Sequence, residues 1–204
     1  MNVPMNTTQP RWLKPVVLVF CLYPAARLIW LGVEGGLGVN PIEFVTRSLG
    51  TWALSFLLIT LAVTPLRRLT GRNELIRVRR MLGLTAFFYA LLHLLSYLWL
   101  DQFFDWNAIF KDILKRPFIT IGMATFMMLL PLALTSTNAA MRRLKRNWQR
   151  LHRLVYPAAI CAVLHYFWLV KQDVTQPALY AALLAALLGI RIWWRVRPPA
   201  LAQA

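Results

Sequence analysis

The stretch MLGLTAFFYALLHLLSYLWL, residues 81–100, decides the fold class, because it contains no Lys, Arg, Asp or Glu. A helix needs about 20 mostly apolar residues to cross roughly 30 Å of hydrocarbon at about 1.5 Å of rise per residue. Four further stretches are equally free of these charges, namely 48–66, 117–140, 154–170 and 174–190. The sequence therefore predicts a polytopic integral membrane protein.

A sixth stretch, residues 12–32, is interrupted by Pro15, Pro24 and Arg27. It follows basic residues, as a signal peptide would, but it has no small-residue cleavage pattern and Arg27 would interrupt its apolar core. We therefore predict a retained first helix. The expected fold is all-α, with one transmembrane domain over residues 1–204 formed by a six-helix bundle at approximately 12–32, 48–66, 81–100, 117–140, 148–170 and 174–194.

The charge of the chain identifies the membrane faces. The net charge is +16, yet only 15% of the residues are charged and 59% are hydrophobic. Nucleic-acid binding would require a soluble basic face, whereas these cations lie between apolar runs, so we expect membrane lipid and no nucleic acid as a partner. Of the 23 Lys and Arg, 17 lie at the N-terminus, in 67–80, in 142–153 or after residue 190, and six of the seven acids lie in the other loops. The positive-inside rule then predicts that both termini are cytoplasmic.

All three histidines fall in predicted helices, where ionisable side chains are costly and are candidates for function. The third and fifth helices cross in the same direction, so His93 and His165 are expected at nearly the same depth in the outer half of the bilayer. Two neutral imidazoles that face each other across a bundle can hold a haem iron from both sides. The alternative is that each histidine only hydrogen-bonds a neighbouring helix.

His152 precedes His165 by 13 residues, which places it about 20 Å nearer the cytoplasm in a continuous helix. Pro157 lies between them and removes a backbone hydrogen bond, so their relative rotation is not fixed by the sequence. Because Arg150 and Arg153 flank His152, a simple cytoplasmic interface residue is the alternative.

Two strings, RVRRMLGLTAFFYALLHLLSYL (77–98) and NWQRLHRLVYPAAICAVLHYFW (147–168), resemble the ferric-reductase-like transmembrane family. The resemblance is closest to the branch that supplies the haem-binding membrane subunit of bacterial protein-methionine-sulfoxide reductase systems. It implies that His93, His152 and His165 occupy haem-ligand positions. It also implies an inner-membrane electron-transfer subunit, without catalytic residues of its own, that carries haem b (one or two) and FMN.

The same resemblance implies the partners. Electrons would come from the quinone pool or from a cytosolic flavin reductase. They would pass to a periplasmic molybdenum-cofactor methionine sulfoxide reductase, which repairs oxidised periplasmic proteins.

The chain departs from the wider family at the inner end of the third helix. Ferric reductases and NADPH oxidases usually carry two histidines there, 13 or 14 residues apart, and this chain has Arg79 and Arg80 at the inner position. Arginine stays protonated and cannot bind iron. Three roles for His152 then stay open. It could bind a haem whose sixth position is open or unusual, it could alternate with another ligand, or it could contact a flavin instead.

The second departure is the lack of the nucleotide-binding extension that NADPH-oxidising relatives carry, and of a GxGxxG fingerprint. We therefore expect electrons to arrive from a quinol or from a separate protein.

Four arginines are candidates for cofactor contacts, because guanidinium matches carboxylate and phosphate groups. Arg27 is predicted near the depth of the histidine pair, where it would pair with a haem propionate; snorkelling to headgroups or pairing with Glu34 is the alternative. Three others open the third helix and would contact a propionate or an FMN phosphate, although topology and anionic lipid also explain such residues: Arg77, Arg79 and Arg80.

Three other functions compete with this interpretation. A proton-relay transporter would normally place an acidic residue in a helix core, and none is present in the predicted helices. A scaffold that recruits partners through basic loops would leave the histidines dispensable. A stand-alone ferric or quinone reductase would bind haem without a periplasmic partner.

Overall fold

The computed structural model describes residues 12–170 and 173–196, and every regular element within them is helical. A π-helical turn, Ser96–Asp101, extends the helix that precedes it, and a 3-10 turn, His152–Leu154, joins the helices on either side of it. The cations Arg11, Lys171 and Arg197 of the predicted charge pattern lie outside the described residues. The α-helices are α1 (Leu13–Val33), α2 (Pro41–Thr70), α3 (Leu75–Leu95), α4 (Trp106–Lys115), α5 (Pro117–Leu134), α6 (Asn138–Leu144), α7 (Arg146–Leu151), α8 (Val155–Leu169) and α9 (Thr175–Val196).

Five of the described helices are long and apolar enough to cross a membrane: α1, α2, α3 with its extension, α5 and α9. They correspond to the first, second, third, fourth and sixth predicted segments, and they support a multi-pass membrane protein. Helix α8 has 15 residues, which correspond to about 22 Å of helix. The sixth span and the orientation therefore stay predictions.

Helices α2 and α3 are both longer than the apolar runs that predicted them. The side chain of Asn40 accepts a hydrogen bond from the backbone of Glu43 and so caps α2, with Pro41 at the first helical position. Gly71 ends α2 in the left-handed conformation, at φ 70°. Helix α3 begins at Leu75, so Arg77, Arg79 and Arg80 lie in its first two turns.

A continuous helix over 148–170 is a wrong prediction, because the structure divides this region into α7, the 3-10 turn and α8. Ahead of this region, the positive φ of Lys145, 46°, separates α6 from α7. Pro157 lies in the first turn of α8 and has no N–H to continue the helical ladder backward, which accounts for the 3-10 turn before it.

The predicted helix over 117–140 is also too long. Helix α5 ends at Leu134, where the Thr135 and Ser136 hydroxyls bond back to the carbonyls of Pro131 and Leu132. Hydroxyl side chains compete in this way with the backbone ladder. Thr137 then caps the separate helix α6 through the backbone of Ala140.

The core is formed by two pairs of packed helices, α2 with α3 and α5 with α8, which contact each other through α2 with α8 and α3 with α5. Phe56 and Tyr89 are fully buried, and their rings stack with centres 5.4 Å apart. The Tyr89 hydroxyl donates to the Cys21 carbonyl and accepts from the Ala25 N–H, which joins α3 to α1.

Candidate functional site

The site is built around His93 of α3 and His165 of α8. Their ring centres lie 6.0 Å apart and the ring planes meet at 73°. The two packed helix pairs thus each contribute one imidazole, and the two rings meet between the pairs. This is the juxtaposition expected if the two histidines lie at the same depth.

One nitrogen of each ring is held by a backbone carbonyl. Nδ1 of His93 lies 2.9 Å from the carbonyl oxygen of Thr46 in α2, and Nδ1 of His165 lies 2.6 Å from that of Phe118 in α5. A carbonyl can only accept, so Nδ1 must carry the proton and Nε2 keeps its lone pair. Within the part of the chain that the structure describes, neither Nε2 has a hydrogen-bond partner.

A glycine faces each ring. A Cβ atom added at Gly50 would lie 3.1 Å from Nδ1 of His93, and one added at Gly122 would lie 2.8 Å from Nδ1 of His165. In both pairs, the carbonyl residue precedes its histidine by 47 residues and its glycine by four. The residues of the two halves of the site therefore correspond in sequence, with a constant difference of 72 in residue number.

The Thr46 side chain differs from other helical threonines in its hydrogen bonding. Its hydroxyl is buried without a hydrogen-bond partner, whereas the hydroxyls of Thr51 and Thr125 bond back to the carbonyl four residues earlier. A buried hydroxyl without a partner is costly. It is a polar group beside His93 that the described residues leave unsatisfied.

His152 has a different environment, in the 3-10 turn that precedes α8. Its ring stacks on Trp148, with centres 4.0 Å apart, and its Nε2 lies 3.1 Å from the Thr135 hydroxyl. That hydroxyl donates its one proton to the Pro131 carbonyl at 2.6 Å, so Nε2 of His152 is the donor of the contact with Thr135. His152 therefore has its free lone pair on Nδ1, the opposite tautomer from the other two histidines.

Arg79 of α3 acts on His152 through its positive charge. Partial burial lowers the pKa of His152, and the positive charge of Arg79 lowers it further. Both effects favour the neutral imidazole, which suits hydrogen bonding or metal binding.

The other predicted arginines do not converge on one point. Arg80 donates to the Asn138 side chain at 2.9 Å, on the loop side of the bundle. Arg77 is exposed. Arg27 is exposed too, near the level of Tyr89 on α3, and no ion pair joins it to Glu34 in the described residues.

The donor set decides which metal centre is chemically reasonable. As far as the chain is described, no three His, Cys, Asp or Glu side chains group together as metal ligands. Two neutral imidazoles on opposite sides suit a metal that arrives with its other ligands already bound, as haem iron does. A zinc site would need three or four protein ligands.

Sequence reasoning missed the two glycines and the two carbonyl groups. A signal for them exists, because a glycine precedes each of the two paired histidines by 43 residues. That spacing gains meaning only once the helix pairs are known to pack in the same way. The Thr135 and Trp148 contacts of His152 had no such signal.

Known proteins resemble this chain closely. Residues 49–163 match the family described as ferric reductase like transmembrane component, which defines the class. A protein of Xanthomonas euvesicatoria is 55% identical over 88% of this chain and 85% of its own length. A protein of Xanthomonas campestris is 56% identical over 90% of this chain and 87% of its own, and one of Bordetella pertussis is 52% identical over 91% and 92%.

All three relatives carry the name protein-methionine-sulfoxide reductase heme-binding subunit MsrQ. The chain belongs to the MsrQ family of ferric-reductase-like transmembrane proteins. The membership predicted from the two histidine-containing strings is confirmed.

Proposed function

We propose that this protein is the haem-binding membrane subunit of a protein-methionine-sulfoxide reductase, and that His93 and His165 hold one haem b between them. The pair of imidazoles with free Nε2 lone pairs, 6.0 Å apart between ring centres, carries the proposal. The name of the relatives, heme-binding subunit, supports it. Bound haem supplies a one-electron carrier; the protein supplies its ligands and its place in the bilayer.

The residues around the pair fit such a group. The two ring centres, 6.0 Å apart, are close enough for both imidazoles to hold one group between them. Gly50 and Gly122 have no Cβ atom and so leave room for the two rings to reach their backbone carbonyls, and the buried Thr46 hydroxyl lacks a partner among the described residues. The backbone carbonyls orient each imidazole and raise its basicity as a ligand.

The proposed topology has six spans with both termini in the cytoplasm, in the inner membrane of a bacterium. Helix α8 would be the sixth span, beside the five that are long and apolar enough. The distribution of cations supports the orientation. The histidine pair then lies in the outer half of the bilayer, on the side of a periplasmic acceptor.

The inner cluster is proposed as the entry side for electrons. The positive charge of Arg79 acts on His152 there, and His152 would serve a second haem or FMN through its free Nδ1. We propose Arg79, Arg80 and Arg77 as contacts for an FMN phosphate or an inner propionate. Arg27, on α1, is proposed as a partner for a propionate of the outer haem.

The proposed path runs from the cytoplasmic side to the periplasm. Electrons come from the quinone pool or a cytosolic flavin reductase, and the acceptor is a periplasmic molybdenum-cofactor subunit that reduces methionine sulfoxide in proteins. The relatives' name supports the reductase system.

The reduced-minus-oxidised visible spectrum of the detergent-purified protein tests the proposal. We expect b-type bands in the parent, their loss in His93→Ala and His165→Ala, and their retention in His152→Ala, which is the matched histidine control. A parent without b-type bands would reject the haem function and favour a proton relay or a scaffold. Loss of the bands in His152→Ala alone would reassign the site.

A further inference from the structure

We propose that Gly50 and Gly122 are positioning residues, which set the orientation of the two imidazoles and the strength of their Nδ1 hydrogen bonds. The inference rests on the proposed haem function for its consequence. Its geometric basis is independent of haem, because it concerns only contacts within the chain.

The first step is a property of the α-helix. Side chains lean toward the N-terminus of their helix, so the side chain at position i+4 covers the carbonyl of residue i. Gly50 lies four residues after Thr46, and Gly122 lies four residues after Phe118. Each glycine therefore uncovers the carbonyl that accepts the histidine Nδ1–H.

The second step is the distance between the missing side chain and the ring. At Gly50, a Cβ atom would lie 3.1 Å from both Nδ1 and Cε1 of His93, so the ring would have to move by a few tenths of an ångström. At Gly122, the corresponding distances to His165 are both 2.8 Å, which real structures do not tolerate. The obstructed atom is in each case the one that makes the carbonyl hydrogen bond.

The third step connects this contact to ligand strength. A hydrogen bond at the outer nitrogen raises the basicity of a metal-bound imidazole. A more basic ligand stabilises the ferric form relative to the ferrous form. Alanine at either glycine should displace the ring, weaken the Nδ1 hydrogen bond and raise the reduction potential of the haem.

The test compares Gly50→Ala and Gly122→Ala with two glycines that have room. A Cβ at Gly83 would lie 3.6 Å from the Thr60 methyl group, an ordinary contact, and one at Gly189 would meet no other atom within 4 Å. Both controls are helical, so all four variants gain similarly in helix propensity. Optical redox titration measures the potential, and electron paramagnetic resonance measures the relative orientation of the ligand rings.

We expect the potential to rise most in Gly122→Ala, less in Gly50→Ala, and to stay at the parent value in Gly83→Ala and Gly189→Ala. A second measurement needs no haem: nitrogen-15 NMR of histidine-labelled apoprotein reports how strongly Nδ1–H is hydrogen-bonded. We expect a weaker bond in the two test variants than in the controls.

The outcomes separate this inference from the proposed function. Potentials, resonance spectra and nitrogen-15 shifts at the control values in both test variants would overturn the inference, while the haem function stood. A parent without haem would reject the function, and the NMR comparison would still decide the role of the glycines. Should Gly122→Ala fail to accumulate in the membrane, the milder Gly50→Ala carries the test.

Discussion

The outer and inner histidine clusters differ in how each imidazole is held. The outer pair, His93 and His165, is held at Nδ1 by backbone carbonyls, with a glycine against each ring. The inner His152 is held at Nε2 by the Thr135 side chain, with the Trp148 ring stacked on it. The outer cluster has a histidine from each helix pair, whereas the inner one has a histidine from one pair and arginine from the other.

The shift of 72 residues explains what this difference means. With this shift, His93 corresponds to His165, whereas the residue that corresponds to His152 is Arg80. The two helix pairs therefore agree at the outer pair of imidazoles and differ at the position of His152. The outer cluster is a symmetric pair of imidazoles, and the inner one combines an imidazole with positive charge, which suits an anionic group.

The largest effect is expected when one histidine of the outer pair is removed. His93→Gly and His165→Gly each remove one ligand, and both should abolish the low-spin spectrum to the same extent because the two halves of the site are equivalent. Imidazole added to the medium can enter the vacated space and should restore part of the spectrum in both variants. The visible spectrum with increasing imidazole measures the effect; rescue of only one variant would contradict the equivalence.

The second prediction concerns a substitution that would give the inner cluster two histidines, as in the outer pair. Arg79 and His93 are 14 residues apart, which places them about 40° apart around an ideal helix, and Arg79 is near enough to influence His152. Arg79→His should therefore give His152 a partner ligand and raise the haem content from about one toward about two per chain. Haem per protein, measured after extraction, tests it.

Arg80→His is the matched control for that variant. It lies about 140° from His93 around the helix, and its side chain bonds Asn138 rather than approaching His152. Equal haem content in both variants and the parent would contradict the prediction.

The sequence alone predicts the parts of this structure that depend on local composition. Runs without charge, such as 81–100, locate four of the five helices of spanning length, and the fifth, α1, follows from the interrupted stretch 12–32. The two histidine-containing strings also suffice to predict the family. Equal depth on parallel segments correctly anticipates that His93 and His165 lie together.

The remaining features depend on which helices pack together. The role of Gly50 requires knowing that His93 reaches the Thr46 carbonyl, which is a contact across 47 residues. The 3-10 turn between α7 and α8 follows from the missing N–H of Pro157, and the positive φ of Lys145 separates α6 from α7. Helix α4 begins because Asp105 caps the backbones of Asn107 and Ala108, a signal inside a loop.

A third prediction sharpens the contrast between backbone and side-chain partners. Thr135→Val removes the acceptor of His152 Nε2, and it should lower the free energy of unfolding by about 1 kcal/mol more than Thr125→Val does. Thr125 is the matched control because its hydroxyl bonds only the carbonyl four residues earlier. Thermal unfolding of the detergent-purified proteins measures the difference. Equal losses would mean that the His152 contact adds no stability.

The smallest effect is expected at Thr46, where the two halves of the outer cluster differ. Its hydroxyl is buried without a partner among the described residues, and the equivalent residue in the other half is Phe118, which has no hydroxyl. Thr46→Val keeps the shape and the carbonyl while removing an unsatisfied polar group, so the apoprotein should be unchanged or more stable by up to about 1 kcal/mol. If the hydroxyl contacts bound haem, the same substitution should narrow the stability difference between haem-loaded protein and apoprotein. Thermal unfolding of both forms, with Thr51→Val as control, distinguishes these results, and a destabilised apoprotein would show that the Thr46 hydroxyl has a partner within the chain.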